Sequence, residues 1–139
     1  MKRIFLDTNV LIDFLDLNRE NHLDAKGLII ASESTGLKIV ISTLSYLNTH
    51  YVLTNRFKIP NRVVLEQFRK LRLITDVSDI SQTAFDKALI LGWNDFEDAA
   101  QFLSAKESKC DAIITSDRKG FAGSDIPVYS ASEYLKISF

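Results

Sequence analysis

Apolar residues along this chain fall into two kinds of run. The first kind is short, nearly unbroken and rich in Ile and Val. It recurs at Arg3–Leu6, Leu37–Ile41, Leu73–Val77 and Ala112–Thr115, which is how strands covered on both faces read. Val128–Tyr129 reads as a weaker fifth strand. The second kind repeats at helical spacing and predicts helices over Asn9–Leu17, His22–Ser34, Thr43–Arg56, Asn61–Leu71, Ser81–Leu91 and Phe96–Lys106. In Asn61–Leu71 the apolar positions are Val64, Leu65, Phe68 and Leu71, and Pro60 stands just before the first turn. Strands alternating with helices predict an α/β fold around a mostly parallel sheet. No repeat, linker or low-complexity tract interrupts the pattern, so one domain is expected over residues 1–139.

Composition adds few constraints. Charged residues make up 25% of the 139 and hydrophobic residues 46%, ordinary values for a globular chain. The formal net charge is −1. A nucleic-acid partner would therefore be held by a local patch and a metal, not by an overall basic field. A single cysteine, Cys110, excludes an internal disulfide. The apolar run near the start is too short for a signal peptide, and nothing approaches the roughly 20 apolar residues of a membrane helix. A cytoplasmic protein with no membrane attachment is expected.

In parallel α/β sheets, ligands gather beyond the carboxyl ends of the strands. Asp7-Thr8-Asn9 follows the first strand, Ser42-Thr43 the second and Ser116-Asp117 the fourth; Asp76 is placed near the end of the third. Asp7 reads equally as a helix cap or as a ligand aimed into a cleft. Asp95, Glu97 and Asp98 open a helix whose other positions are largely apolar. Asp95 caps it, and first-turn acids suit the helix dipole. Asp95 and Asp98, three apart, share one side of the turn, with Glu97 expected to point elsewhere. Asp98 precedes Ala99, Ala100, Phe102 and Leu103, so it is expected to face inward, where an unpaired charge is costly and a shared cation compensates. Asp117 closes the set, with an acidic turn residue as its simpler reading. Asp111, before the same strand, is expected to be structural.

Carboxylates at one end of a sheet, without a His or Cys cluster, favour a hard cation such as Mg²⁺ or Mn²⁺ and disfavour zinc. Such an ion polarises a phosphodiester and supplies a nucleophile. His22 is expected to be solvated, and His50 to lie at the surface or half-buried. The basic residues from Arg56 to Arg72 read as a solvated face in which Glu66 pairs with Arg62 or Lys70. Arg118 and Lys119, directly after Asp117, are the candidate contacts to nucleic-acid phosphates.

Several stretches, taken in order, resemble the PIN-domain family, and in particular its compact bacterial branch of toxin-like ribonucleases. These are Ile4-Phe5-Leu6-Asp7-Thr8-Asn9-Val10-Leu11, Ile41-Ser42-Thr43-Leu44-Ser45, Asp95-Phe96-Glu97-Asp98-Ala99, Ala112-Ile113-Ile114-Thr115-Ser116-Asp117-Arg118-Lys119-Gly120-Phe121 and Ile126-Pro127-Val128. No single piece is specific; their order and spacing over nearly the whole chain are. The resemblance implies a three-layer α/β/α sandwich and Mg²⁺- or Mn²⁺-dependent endonuclease action on RNA. It implies a homodimer and, for toxins, a small antitoxin that covers the site. It carries over Asp7, Asp98 and Asp117 as catalytic metal-site residues, adds Asp95 as a fourth ligand, and makes Asn9 and Ser116 (or Thr115) supporting groups. One departure stands out. Many relatives carry a Glu on the helix after the second strand, whereas no Asp or Glu occurs here from Leu37 to Leu65. Asn48 is the nearest substitute.

Two functions of different class follow. The first is a metal-dependent endoribonuclease, as the toxin of a toxin–antitoxin pair. The alternative is a catalytically weakened module that binds RNA or a protein partner. Phosphoryl transfer through an aspartyl intermediate at Asp7 ranks below both, because Asn9 stands where such enzymes place a second acid.

Overall fold

A computed structural model of the chain describes residues 2–139. Five strands form one parallel sheet: β1 (Arg3–Leu6), β2 (Lys38–Ser42), β3 (Asp76–Ser78), β4 (Ala112–Ile114) and β5 (Val128–Tyr129), in the spatial order β3-β2-β1-β4-β5. The helices are α1 (Thr8–Leu15), α2 (His22–Thr35), α3 (Thr43–Tyr51), α4 (Asn61–Arg72), α5 (Gln82–Leu91), α6 (Phe96–Glu107) and α7 (Ala131–Ser138). β1 is central and pairs with both β2 and β4.

The pleat divides the strand residues between two cores. Ile4, Leu6, Ile39, Ile41, Ala112 and Ile114 face one way and pack with Leu11, Leu28, Tyr46, Leu71 and Tyr134 from α1, α2, α3, α4 and α7. Phe5, Val40 and Ile113 face the other way, against Ala84 and Ala88 of α5 and Ala99, Phe102 and Leu103 of α6. Burial on both faces explains the unbroken apolar runs and gives the three-layer α/β/α arrangement. No helix among the described residues is long and apolar enough to cross a membrane.

The third strand departs from its sequence-based bounds. α4 runs on to Arg72, and the next residues fold back on it. The amides of Leu73, Ile74 and Thr75 donate to the carbonyls of Lys70, Leu71 and Leu71 at 3.2, 3.1 and 2.9 Å. Leu73 is 86% exposed, so half of this apolar run belongs to a surface turn. β3 therefore starts at Asp76, which lies at the amino end of the sheet and not near the site end. There its carboxylate accepts from Arg3 Nη1 at 3.1 Å. Asp111 stands at the same end as expected, accepting the Arg3 amide at 2.9 Å.

Three further differences have local causes. The helix predicted to reach Arg56 is α-helical only to Tyr51. It continues as a π-helical turn, Val52–Arg56, in which Thr54 Oγ1 donates to the His50 carbonyl. α7 was not foreseen, although Ser130-Ala131-Ser132-Glu133 spells a capping box, and both reciprocal bonds form. His22 is buried, not solvated. Its Nδ1–H donates to the Asp13 carbonyl at 2.9 Å, and Arg19 closes over the Asp13 carboxylate at 2.7 Å.

The two leucines at Leu28 and Leu73 test this arrangement. Leu28→Ala, in a fully buried position of α2, is expected to destabilise by about 2–5 kcal/mol. Leu73→Ala is expected to stay within about 0.5 kcal/mol of the parent. Urea unfolding followed by circular dichroism distinguishes the two; a strand beginning at Leu73 would make both costly.

Candidate active site

At the carboxyl end of β1 the ladder runs one residue past the strand, with the Asp7 amide donating to the Ile114 carbonyl at 2.9 Å. This fixes Asp7 between the ends of β1 and β4. Asp7 is also the α1 N-cap, so the cap reading holds: Oδ1 accepts the Thr8 amide at 2.9 Å. Its other oxygen accepts from Thr115 Oγ1 at 2.9 Å and from Asn9 Nδ2 at 3.3 Å. Thr115 is a hub. The same hydroxyl oxygen accepts the Asp117 amide at 3.1 Å and Asn9 Nδ2 at 3.3 Å. Asn9 Oδ1 in turn accepts the Ser116 amide at 3.1 Å. Asn9 thus sits where a supporting residue is expected. Of the Ser116–Thr115 alternatives, Thr115 supplies the hydroxyl and Ser116 only its backbone.

α6 brings the remaining acids. Asp95 caps the helix, its Oδ1 accepting the Asp98 amide at 3.0 Å. Asp98 is buried and faces inward as predicted. Its carboxylate lies in a notch left by Gly120: a Cβ there would overlap Asp98 Oδ2 and stand 3.6 Å from Asp117 Oδ2. The glycine therefore marks the point where Asp98 and Asp117 come together. Glu97 does not point away, as its place on the turn suggested. Its Oε1 accepts Asn48 Nδ2 of α3 at 2.9 Å.

Behind the acids runs a buried, neutral seam that the sequence reading missed. Ser42 Oγ, at the end of β2, donates to Gln101 Oε1 at 2.6 Å, and Gln101 Nε2 donates to Ser45 Oγ at 2.7 Å. Ser45 Oγ also bonds Thr8 Oγ1 at 2.9 Å, which joins the α1, α3 and α6 starts. A turn further along α6, Ser104 Oγ bonds Ser78 Oγ and the Asp79 carbonyl at the end of β3. The available signal was Gln101 itself, a polar residue inside Ala99-Ala100-Gln101-Phe102-Leu103 and three residues from Asp98.

The electrostatics of the site are one-signed. Asp98 is pushed up to about 7, chiefly by burial and then by the charges of Asp7, Asp95, Asp117 and Glu97. Asp7 is raised by burial, with Glu97 and Asp95 adding to the shift. The bonds from Thr115 and Thr8 only partly offset it. Glu97 is raised by burial and by Asp95, against the Asn48 bond. Arg118, the nearest sequence candidate for a counter-charge, is bound to Glu133 at 2.9 Å. Lys119 is exposed and lines a depression shared with Trp93, Asn94, Asp95 and Asp117. Among the described residues no three His, Cys, Asp or Glu side chains stand close enough together to hold one metal ion, so an ion would have to draw the acids inward. An oxygen-only, open donor set with uncompensated charge fits Mg²⁺ or Mn²⁺, which keep several waters and bind through a few carboxylates plus substrate phosphate. It does not fit zinc.

The remaining candidates lie elsewhere. His50 is half-buried and bonds Asn61 at 2.6 Å. The basic face of α4 is exposed, but among the described residues Glu66 makes no ion pair with Arg62 or Lys70. A larger cavity opens at the amino end of the sheet, lined by Leu37, Ala112, Tyr134 and Phe139. It is remote from all the converging acids.

The chain and its fold have known counterparts. Ribonuclease VapC1 of Aquifex aeolicus is 26% identical over 140 residues, covering 97% of this chain and 94% of its own. VapC20 of Mycobacterium tuberculosis, a toxin that cleaves the sarcin–ricin loop, superposes with a TM-score of 0.68 at 18% identity, over 86% of this chain and 94% of its own. A toxin–antitoxin complex from Klebsiella pneumoniae gives 0.67 at 22% identity, over 92% and 97%. VapBC2 of Rickettsia felis, bound to a DNA fragment from its promoter, gives 0.65 at 13% identity, over 92% and 97%. The PIN domain model matches residues 3–119, a span that takes in β1 through Asp117 and every acid of the site, and the chain belongs to the PIN domain family.

Proposed function

We propose that this protein is a metal-dependent endoribonuclease and the toxin of a toxin–antitoxin pair. The carrying observation is the pair of buried carboxylates, Asp7 and Asp98, at the carboxyl edge of the sheet, with Asp117 brought beside Asp98 at the Gly120 notch; burial and the neighbouring acids raise the pKa of both. The relatives named as a ribonuclease and as toxin–antitoxin complexes support the RNA substrate and the antitoxin partner.

In this reading Asp7, Asp98 and Asp117 hold Mg²⁺ or Mn²⁺, with Asp95 at the rim. When bound, the ion offsets the carboxylate and phosphate charge and lowers the pKa of the attacking water. Asp7 is locked by Thr115, Thr8 and Asn9, so it presents its free lone pairs without rearrangement. The Gly120 notch gives Asp98 room beside Asp117. Water attacks phosphorus, the P–O ester bond to the leaving ribose oxygen breaks, and that oxygen takes up a proton. Lys119, free of any ion pair among the described residues, is placed to contact a neighbouring phosphate. Exposed Phe85, Leu89 and Ile90 on α5 offer apolar surface for the expected homodimer.

Purified protein incubated with RNA and Mn²⁺ is expected to cleave it, and EDTA to abolish cleavage. Asp7→Asn and Asp117→Asn should each lower the rate at least ~100-fold. RNA binding without cleavage, unaffected by these substitutions, would instead identify the weakened binding module. Gly120→Ala is expected to fold but to displace the Asp98 carboxylate and weaken Mn²⁺ binding, read by calorimetric titration.

Stability should show the same charge. Folded Asp98 keeps its proton to about 7, whereas the group's ordinary value is 3.8. Between those values the folded state binds more protons than the unfolded one, so metal-free stability falls as pH rises through this window and levels above it. Asp7, raised as well, steepens the fall. In scanning calorimetry with EDTA at pH 8, Asp98→Asn is expected to gain roughly 1 kcal/mol, a few degrees in Tm. Mn²⁺ should raise the wild-type Tm more at pH 8 than at pH 5. A Tm that is flat or rises between pH 4 and 7 would contradict this charge arrangement.

A further inference from the structure

α3 carries no acid, yet the site is not neutral on the α3 side. We propose that Glu97 of α6, steered by Asn48 of α3, is a further carboxylate of the metal site, beyond Asp7, Asp98, Asp117 and the rim acid Asp95, and takes the place of the absent helix acid. The inference rests on the ribonuclease reading above.

The topology sets the need. Asp7 follows β1, and Asp117 follows β4 on one side of it. On the other side, β2 ends in Ser42 and α3 presents Ser45, both uncharged and bonded within the neutral seam. Without Glu97 that flank would offer a cation nothing but hydroxyls and amides already in use. Asn48 Nδ2 donates to Glu97 Oε1 at 2.9 Å and draws the side chain across from α6 to α3. Oε2 has no hydrogen-bond or ion-pair partner among the described residues, so one carboxylate oxygen is oriented and the other is available.

A first-turn acid serving only the helix dipole needs no side-chain partner on another helix. Glu97 has one, and it lies on the helix that carries no acid of its own. The longer Glu side chain suits a place on the exposed rim, from which it must reach inward. Asn48 is then a positioning residue: its amide contributes no charge, but it selects the rotamer that aims the carboxylate.

Glu97→Gln tests this cleanly, because the amide oxygen still accepts from Asn48 while the charge is lost. Mn²⁺ titration by calorimetry, RNA cleavage and the Tm in EDTA are compared for wild type, E97Q and D98N. The expected result is about tenfold weaker Mn²⁺ binding in E97Q, slower cleavage and an EDTA Tm no lower than wild type. Asn48→Ala should weaken Mn²⁺ binding less than E97Q does. If wild type binds Mn²⁺ and D98N does not, but E97Q matches wild type in affinity and rate, the Glu97 assignment is wrong and the ribonuclease reading stands. If wild type neither binds Mn²⁺ nor cleaves RNA, the ribonuclease reading falls and takes this one with it.

Discussion

Carboxylates at the edge of the sheet repel one another, and much of the local structure serves to hold them together against that repulsion. The Thr115 hydroxyl does most at the centre. By donating to Asp7 and accepting from the Asp117 amide, one side chain ties the ends of β1 and β4 at a fixed spacing. Neutral donors of this kind steady a carboxylate without cancelling its charge. A lysine or arginine in the same place would relieve the repulsion and, with it, the attraction for a cation. Two arginines near these acids along the chain are used elsewhere: the Arg3 guanidinium on Asp76 and the Ser108 carbonyl at the far end of the sheet, and Arg118 on Glu133.

The seam beneath the acids follows from the same constraint. Ser42, Ser45, Thr8 and Gln101 are polar but uncharged, and their donors and acceptors match within the group. A charged residue there would be expensive to bury, and an apolar one would leave the helix starts and strand ends with unpaired groups. The seam also fixes α6 by directional bonds in place of packing alone. That matters because α6 carries Asp95 as its cap and Glu97 and Asp98 on its first turn, where a small rotation of the helix would move all three. Thr49 Oγ1, on α3, is the one buried side-chain polar atom without a partner among the described residues.

The α/β alternation, the two-faced strands and the placement of Asp7, Asp98 and Asp117 at the carboxyl end of the sheet were legible in the sequence because each rests on a local pattern with a physical cause. Unbroken Ile/Val runs mean two covered faces, and an acid at a strand end lies where the loops gather. The third strand was not legible. Leu73 and Ile74 look like strand residues, and only the turn back onto α4 makes them surface. His22 looked solvated because its partner, the Asp13 carbonyl, is a backbone group on another helix. Glu97 was misplaced for a related reason: helical spacing tells which way a side chain leaves its own helix, not which neighbour bends it back. Ser130 and Glu133 are a different case, since their capping box was present to be read.

β1 is the middle strand, but its neighbours come from distant parts of the chain. The Asp7 amide bonds to Ile114, and Thr115 reaches Asp7 across 108 positions. Contacts this far apart require a large loop to close, so they form late in folding relative to local helices. During synthesis β1 and α1 emerge first, and α6 and β4 follow only after most of the chain. Asp7 therefore waits without Asp98 or Asp117 while β2, α3, α4 and β3 are made. A nascent or partly folded chain holds the acids singly, as ordinary surface carboxylates, and the site comes into being only when β4 inserts beside β1.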